Sequence, residues 1–123
     1  MVIRSLIGVI MIAACAVPAA AAPAEIDYPR ESLGYAALMA RDYVTAERQL
    51  RASNEVAADD PARLINLGQV LIQTGRQAEG TALLDQARKV EDVELVLGNG
   101  RTMWSRDVAR RALSTVTATY AGR

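Results

Sequence analysis

The sequence predicts a mainly α chain: two helical hairpins forming a fragment of an α-solenoid, then a β-hairpin and a capping helix. Three observations carry this expectation. Apolar residues make up 51% of the 123 residues but aromatics only 4%, with no Phe, so Ala, Leu and Val must fill the interior. Small aliphatic side chains suit close-packed helices, whereas sandwiches draw on aromatic and β-branched ones. Apolar residues recur at i, i+3, i+4 and i+7, the mark of one buried helix face. The pattern of small and large positions also returns after 34 residues, a period typical of stacked helical units.

The first residues read as an address. Arg4 gives residues 1–4 a positive charge, and residues 5–17 are an uncharged, mostly apolar run of 13. Pro18 and the alanines at 19–22 follow. This is the build of a secretory signal peptide over residues 1–22, and the run falls short of the roughly 20 residues that span a bilayer. Two processing routes are open. Cleavage among residues 19–24 would release a periplasmic or secreted protein. Alternatively, Ile12-Ala13-Ala14-Cys15 resembles a bacterial lipobox, and a lipidated Cys15 would then tie the chain to a membrane. Residues 23–30 are read as a linker.

The two hairpins are expected over residues 31–91. Leu33-Gly34 returns as Leu67-Gly68, and the same offset of 34 pairs Ala37 with Leu71, Leu38 with Ile72, Ala46 with Gly80 and Leu50 with Leu84. In the first copy, Leu33, Ala36, Ala37 and Ala40 make one stripe. Asp42 then offers an N-cap to a second helix that buries Tyr43, Ala46, Leu50 and Ser53. In the second copy, Asp60-Pro61 places a capping carboxylate before Pro at the first helical position. Leu64, Leu67, Gly68 and Leu71 continue the stripe, and Gly75 marks the stop. The next helix buries Gly80, Leu83, Leu84, Ala87 and Val90.

These residues resemble the tetratricopeptide repeat, with its Leu-Gly pair in the first helix and a small-then-large pair in the second. Ala46 with Leu50, and Gly80 with Leu84, match the latter. The sequence departs from the pattern where Arg30 and Leu64 replace its Trp, Ala37 and Leu71 its Tyr, and Ala58 and Asp92 its Pro. The resemblance covers about residues 27–94. It implies a protein that works by binding other proteins.

Residues 92–123 are expected to close the stack. Residues 93–97 are partly alternating and β-branched, Gly98-Asn99-Gly100 signals a turn, and residues 101–104 return. Ser105 is expected to cap a last helix whose stripe is Val108, Ala109, Ala112, Leu113 and Val116. Arg106, Arg110 and Arg111 face elsewhere, and Trp104 is expected to plug the end of the stack.

No chemistry of a catalytic kind is legible. There is no His, which removes the commonest general base and metal ligand, and a single Cys excludes an intrachain disulfide. No catalytic residue, metal or cofactor is expected. Lys+Arg and Asp+Glu are 14 each, so no nucleic-acid partner is suggested.

The inner face of a curved solenoid is lined by the first helix of each pair. In the tetratricopeptide family that groove holds peptides or partner helices. The resemblance therefore places the candidate groove at Tyr35, Met39, Ile65, Gln69 and Ile72, with Tyr28, Glu31, Leu38, Ala62 and Gln73 around them. The set is apolar with polar interruptions and suits a hydrophobic segment. The competing reading of Leu38, Met39, Ile65 and Ile72 is ordinary core. The expected function is a protein–protein interaction module of the cell envelope. The alternative is a self-associating structural protein that stacks through open repeat ends.

Overall fold

A computed structural model describes residues 33–122, so the leader, the linker and Cys15 lie outside the described residues. The elements follow in the order α1 (Tyr35–Met39), α2 (Tyr43–Ala52), α3 (Pro61–Gln73), α4 (Gln77–Ala87), β1 (Glu94–Val96), β2 (Thr102–Trp104) and α5 (Ser105–Ala121). The fold is mainly α, with a single two-stranded antiparallel sheet among the described residues. Helices adjacent in the chain pack on one another, and α5 packs on α4 and α3.

The helix ends follow local chemistry. Asp42 accepts from the Thr45 amide and Asp60 from the Arg63 amide, both at 3.1 Å, and Pro61 stands in the first turn of α3. Each carboxylate satisfies an amide that has no partner within its helix. The ends of α1 and α3 are built alike. Arg41 and Gly75 both adopt left-handed backbone, at φ of 59° and 87°. The Arg41 amide donates to the Leu38 carbonyl and the Gly75 amide to that of Ile72, at 3.0 and 3.2 Å. One residue on, Asp42 donates to Ala37 and Arg76 to Leu71, both at 2.8 Å. Every group in the second set stands 34 positions after its counterpart in the first.

Left-handed backbone crowds a Cβ, so Arg41 carries a strain that Gly75 avoids. Arg41→Gly should raise stability by about 0.5–1 kcal/mol, after subtracting the greater freedom glycine gains on unfolding. Gly75→Ala should lower it. Urea denaturation reads both, and a loss of stability in Arg41→Gly would rule out the left-handed turn.

The interhelical contacts also recur. A Cβ added to Gly34 would stand 3.1 Å from the Ala46 carbonyl oxygen and 3.4 Å from Leu50 Cγ. One added to Gly68 would stand 3.0 Å from the Gly80 carbonyl oxygen and 3.1 Å from Leu84 Cγ. Backbone thus approaches backbone in both hairpins, and the leucine one turn further fills the gap.

Two apolar clusters make the core. Ala37, Ala46, Leu50, Leu67, Val70 and Leu71 pack among α1, α2 and α3. Ala62, Leu64, Ile65, Leu84, Ala87, Leu95 and Ala109 pack among α3, α4, β1 and α5, and Leu83 touches both clusters. Helix α3 feeds both, which is why it is apolar nearly all round. The stripe expected on the first helix is narrower in fact: Ala37 is buried, while Ala36 and Ala40 are exposed.

Two arginines stitch the connections. Arg63 Nη1 donates to the carbonyls of Ser53 and Val56 at 3.0 and 2.8 Å, drawing the α2–α3 loop onto α3. Arg106 donates through Nε and Nη2 to the Val90 carbonyl, at 3.2 and 2.9 Å. Arg106 therefore folds back onto the chain leaving α4, which corrects its expected outward position.

The hairpin pairs Glu94 with Trp104, Leu95 with Met103 and Val96 with Thr102. Leu95 is buried, and Trp104 is 53% exposed. Trp104 does not plug the stack, because Met103 occupies the inward register opposite Leu95 and alternation sends its neighbour to the other face. Nor does Ser105 act as the cap of α5. Asp92 Oδ1 accepts from the Arg106 amide at 3.0 Å and from the Ser105 hydroxyl at 3.1 Å, so the cap comes from across the hairpin.

Glu47 of α2 reaches Arg76 in the α3–α4 turn. Arg76 Nη1 donates to Glu47 Oε2 at 3.0 Å, Nη2 donates to Oε1, and Arg51 Nε reaches Oε2 at 3.0 Å. The Arg76 hydrogen bond, followed by that of Arg51, lowers the Glu47 pKa from 4.5 to about 2. A depressed carboxylate pKa stabilises the fold above pH 4.5, and that contribution is lost as pH falls toward 2. With the pair partly exposed, it is worth no more than about 1 kcal/mol. Asp42 and Asp85 are also lowered, the first by Thr45 and the second by Arg88 and Lys89. Glu47→Gln should lower stability slightly at pH 7 and shrink the acid-side fall without removing it. Chemical denaturation at pH 7, 4.5 and 2.5 checks this; a variant with the wild-type pH profile would dismiss the pair as a contributor.

Candidate binding groove

A cavity of about 700 Å³ lies between the first helix, α3 and the final helix. Helix α1 contributes Leu38 and Met39, with Tyr43 following at the start of α2. Helix α3 contributes Gln69, Ile72 and Gln73, and α5 contributes Ala112, Thr115, Val116, Thr119 and Tyr120. The volume falls in the usual range for ligand pockets, roughly 300–1,000 Å³.

Each wall follows from helical spacing. Gln69, Ile72 and Gln73 share one face of α3, and Ala112, Thr115, Val116 and Thr119 share one face of α5. Among the described residues the lining contains no Asp, Glu, Lys or Arg. Its polar groups are two amides, two threonine hydroxyls and two phenols. Thr115 and Thr119 donate their hydroxyl protons to the carbonyls of Arg111 and Thr115, at 3.0 and 2.9 Å, and so keep only acceptor capacity. Neither the Gln69 nor the Gln73 side chain has a hydrogen-bond partner among the described residues. Their amides can each donate and accept, which suits a peptide backbone.

Of the residues expected in or around a groove, Leu38, Met39, Gln69, Ile72 and Gln73 come together in this lining. Tyr35 is 52% exposed and lies just outside the cavity, its hydroxyl beside Gly98. Ile65 is only 2% exposed and belongs to the core with Ala62 and Leu95, which corrects its expected place in the groove. It faces the same side of α3 as Gln69, but it is buried in the cluster that Leu84 of α4, Leu95 of β1 and Ala109 of α5 share. The wall from α5 is the part sequence reasoning missed. Its signal is in the sequence: Ala112, Thr115, Val116 and Thr119 stand at i, i+3, i+4 and i+7.

Comparison with family models, with curated proteins and with solved structures gives no match. The reading of the groove therefore rests on its own geometry.

Proposed function

We propose that this chain is an exported, non-catalytic interaction module of the tetratricopeptide type, and that its cavity takes an uncharged, apolar peptide segment of a partner protein. The single observation that carries the reading is the lining. The described residues that line about 700 Å³, drawn from four helices, carry no formal charge. An ionic group entering such a site would lose hydration without gaining a counter-charge. An apolar side chain gains from Leu38, Met39, Ile72 and Val116, and its backbone can meet Gln69 and Gln73. The repeated turn and glycine contacts, 34 residues apart, support the family assignment. The periplasm, or a membrane tether through Cys15, remains the proposed location. Among the described residues no helix is long and apolar enough to cross a membrane.

Met39 tests the reading because it is 62% exposed and yet lines the cavity. Met39→Glu should leave the thermal melt near that of wild type and weaken partner capture by more than about 2 kcal/mol, the scale of a binding hot spot. Ile72→Glu is the poorer probe, since Ile72 also packs against the core. A segment retained by wild type and equally by Met39→Glu would reject the groove as its site.

Self-association is the second reading. Val44 on α2 is 75% exposed, the most exposed large apolar side chain among the described residues. A concentration-dependent increase in mass, abolished by Val44→Glu, would favour it over peptide capture.

A further inference from the structure

We propose that the β1–β2 hairpin is a strap across the inner face of the helices, fixed at its base and displaceable at its tip, which opens to lengthen the groove. The proposal rests on reading the cavity as a binding groove. Its starting point is one row of α3, where Ala62, Ile65, Gln69, Ile72 and Gln73 share a face by helical spacing. The last three line the cavity. The first two are buried in the cluster that holds Leu95, the inward residue of β1. A single continuous face thus lines the cavity along its later turns and is buried along its earlier ones, in a cluster to which the hairpin contributes Leu95 beside Ala109 of α5. Leu95 occupies the place that an apolar ligand side chain would take there.

The two ends of the hairpin are held very differently. At the base, the Ser105 amide donates to the Val93 carbonyl at 2.8 Å and the Val93 amide donates to the Ser105 hydroxyl oxygen at 3.0 Å. Asp92 accepts from that hydroxyl, and Ser105 is fully buried. At the tip, Gly98 rests against α1 without a side chain. A Cβ there would stand 3.3 Å from Met39 Sδ and 3.5 Å from the Tyr35 hydroxyl. Met39 and Tyr35 are themselves more than half exposed. The sheet has only two strands, and an isolated hairpin is marginal in water. Met39 touches the tip and also lines the cavity, so a ligand that displaces Met39 loosens the seat of the strap.

Hydrogen exchange on the purified protein tests this without any ligand. The Leu97 amide, bonded to the Arg101 carbonyl near the tip, should exchange at least about 100-fold faster than the Leu71 amide within α3, through local opening. The Ser105 amide at the base should stay slow. Gly98→Val, which places atoms against Met39, should speed Leu97 at least about tenfold further and leave Leu71 unchanged. Equal rates at Leu97 and Leu71 would overturn the strap. So would Ser105 opening together with Leu97, because the whole end of the chain would then detach as a unit. An unaltered Leu97 rate in Gly98→Val would overturn the role of the tip. Uptake of the uncharged dye Nile red is the separate probe of the cavity, expected to tighten several-fold in Gly98→Val. A cavity that takes up no dye while Leu97 exchanges fast rejects the binding reading and supports the strap by itself.

Discussion

Leu84→Asp and Leu50→Asp should each abolish the cooperative thermal melt. Both leucines are 0% exposed and each reaches the glycine of the facing segment, Leu84 against Gly68 and Leu50 against Gly34. Truncating a buried leucine costs about 2–5 kcal/mol before any charge is considered. A carboxylate in its place either stays ionised without a partner or takes up a proton, and both cost further. The sum meets or exceeds the roughly 5–15 kcal/mol that holds a domain of this size together. Circular dichroism on heating reads the result. Either variant melting like wild type would show that its leucine is not buried between helices.

Gly80→Ala is the second large effect, and its sign runs against helix propensity. Alanine in the interior of α4 should favour the helix by about 1 kcal/mol over glycine. Yet a Cβ at residue 80 would stand 2.6 Å from both the Gly68 carbonyl oxygen and Ile72 Cγ1. The oxygen is backbone of α3, so relief requires the two helices to part. Overpacking of this kind costs about 1–3 kcal/mol, and separating the helices also loosens Leu84 and Ile72. A net loss near 2 kcal/mol is expected, which would lower Tm by about 8–16 °C in a chain of this length. Gly68→Ala should be milder, since its nearest contacts are 3.0 and 3.1 Å and one of them is the Leu84 side chain. A stabilised Gly80→Ala would exclude the close approach of α3 and α4.

Most of the helical framework was legible because its signals are local. Asp42, Asp60, Pro61 and Gly75 act within one turn of their own positions, and the structure places each at the helix end where the sequence puts it. Arg41 shows the limit. The same left-handed turn forms there without glycine, because the two backbone hydrogen bonds and the following Asp42 cap hold it. Nothing in the residue type announces it. Of the candidate groove, Met39, Gln69 and Ile72 were found from spacing on the first helices. The wall from α5 was not, since its threonines read equally as surface until another helix stands opposite.

The sequence by itself determined the caps at Asp42 and Asp60, the stop at Gly75, and that glycines meet small residues between the helices. Those properties depend on neighbours within a turn or on a fixed period, and a linear pattern carries both. Only the tertiary structure decided that Ile65 is core while Gln69, one turn further on the same face, lines a cavity. Both positions satisfy the same helical spacing, and the difference is what packs beside Ile65: Leu84, Leu95 and Ala109, which arrive from other elements of the chain. The outward turn of Trp104 and the return of Arg106 to the Val90 carbonyl were decided the same way. Register and docking set which face of a short element meets the core, and contacts between distant segments fix them.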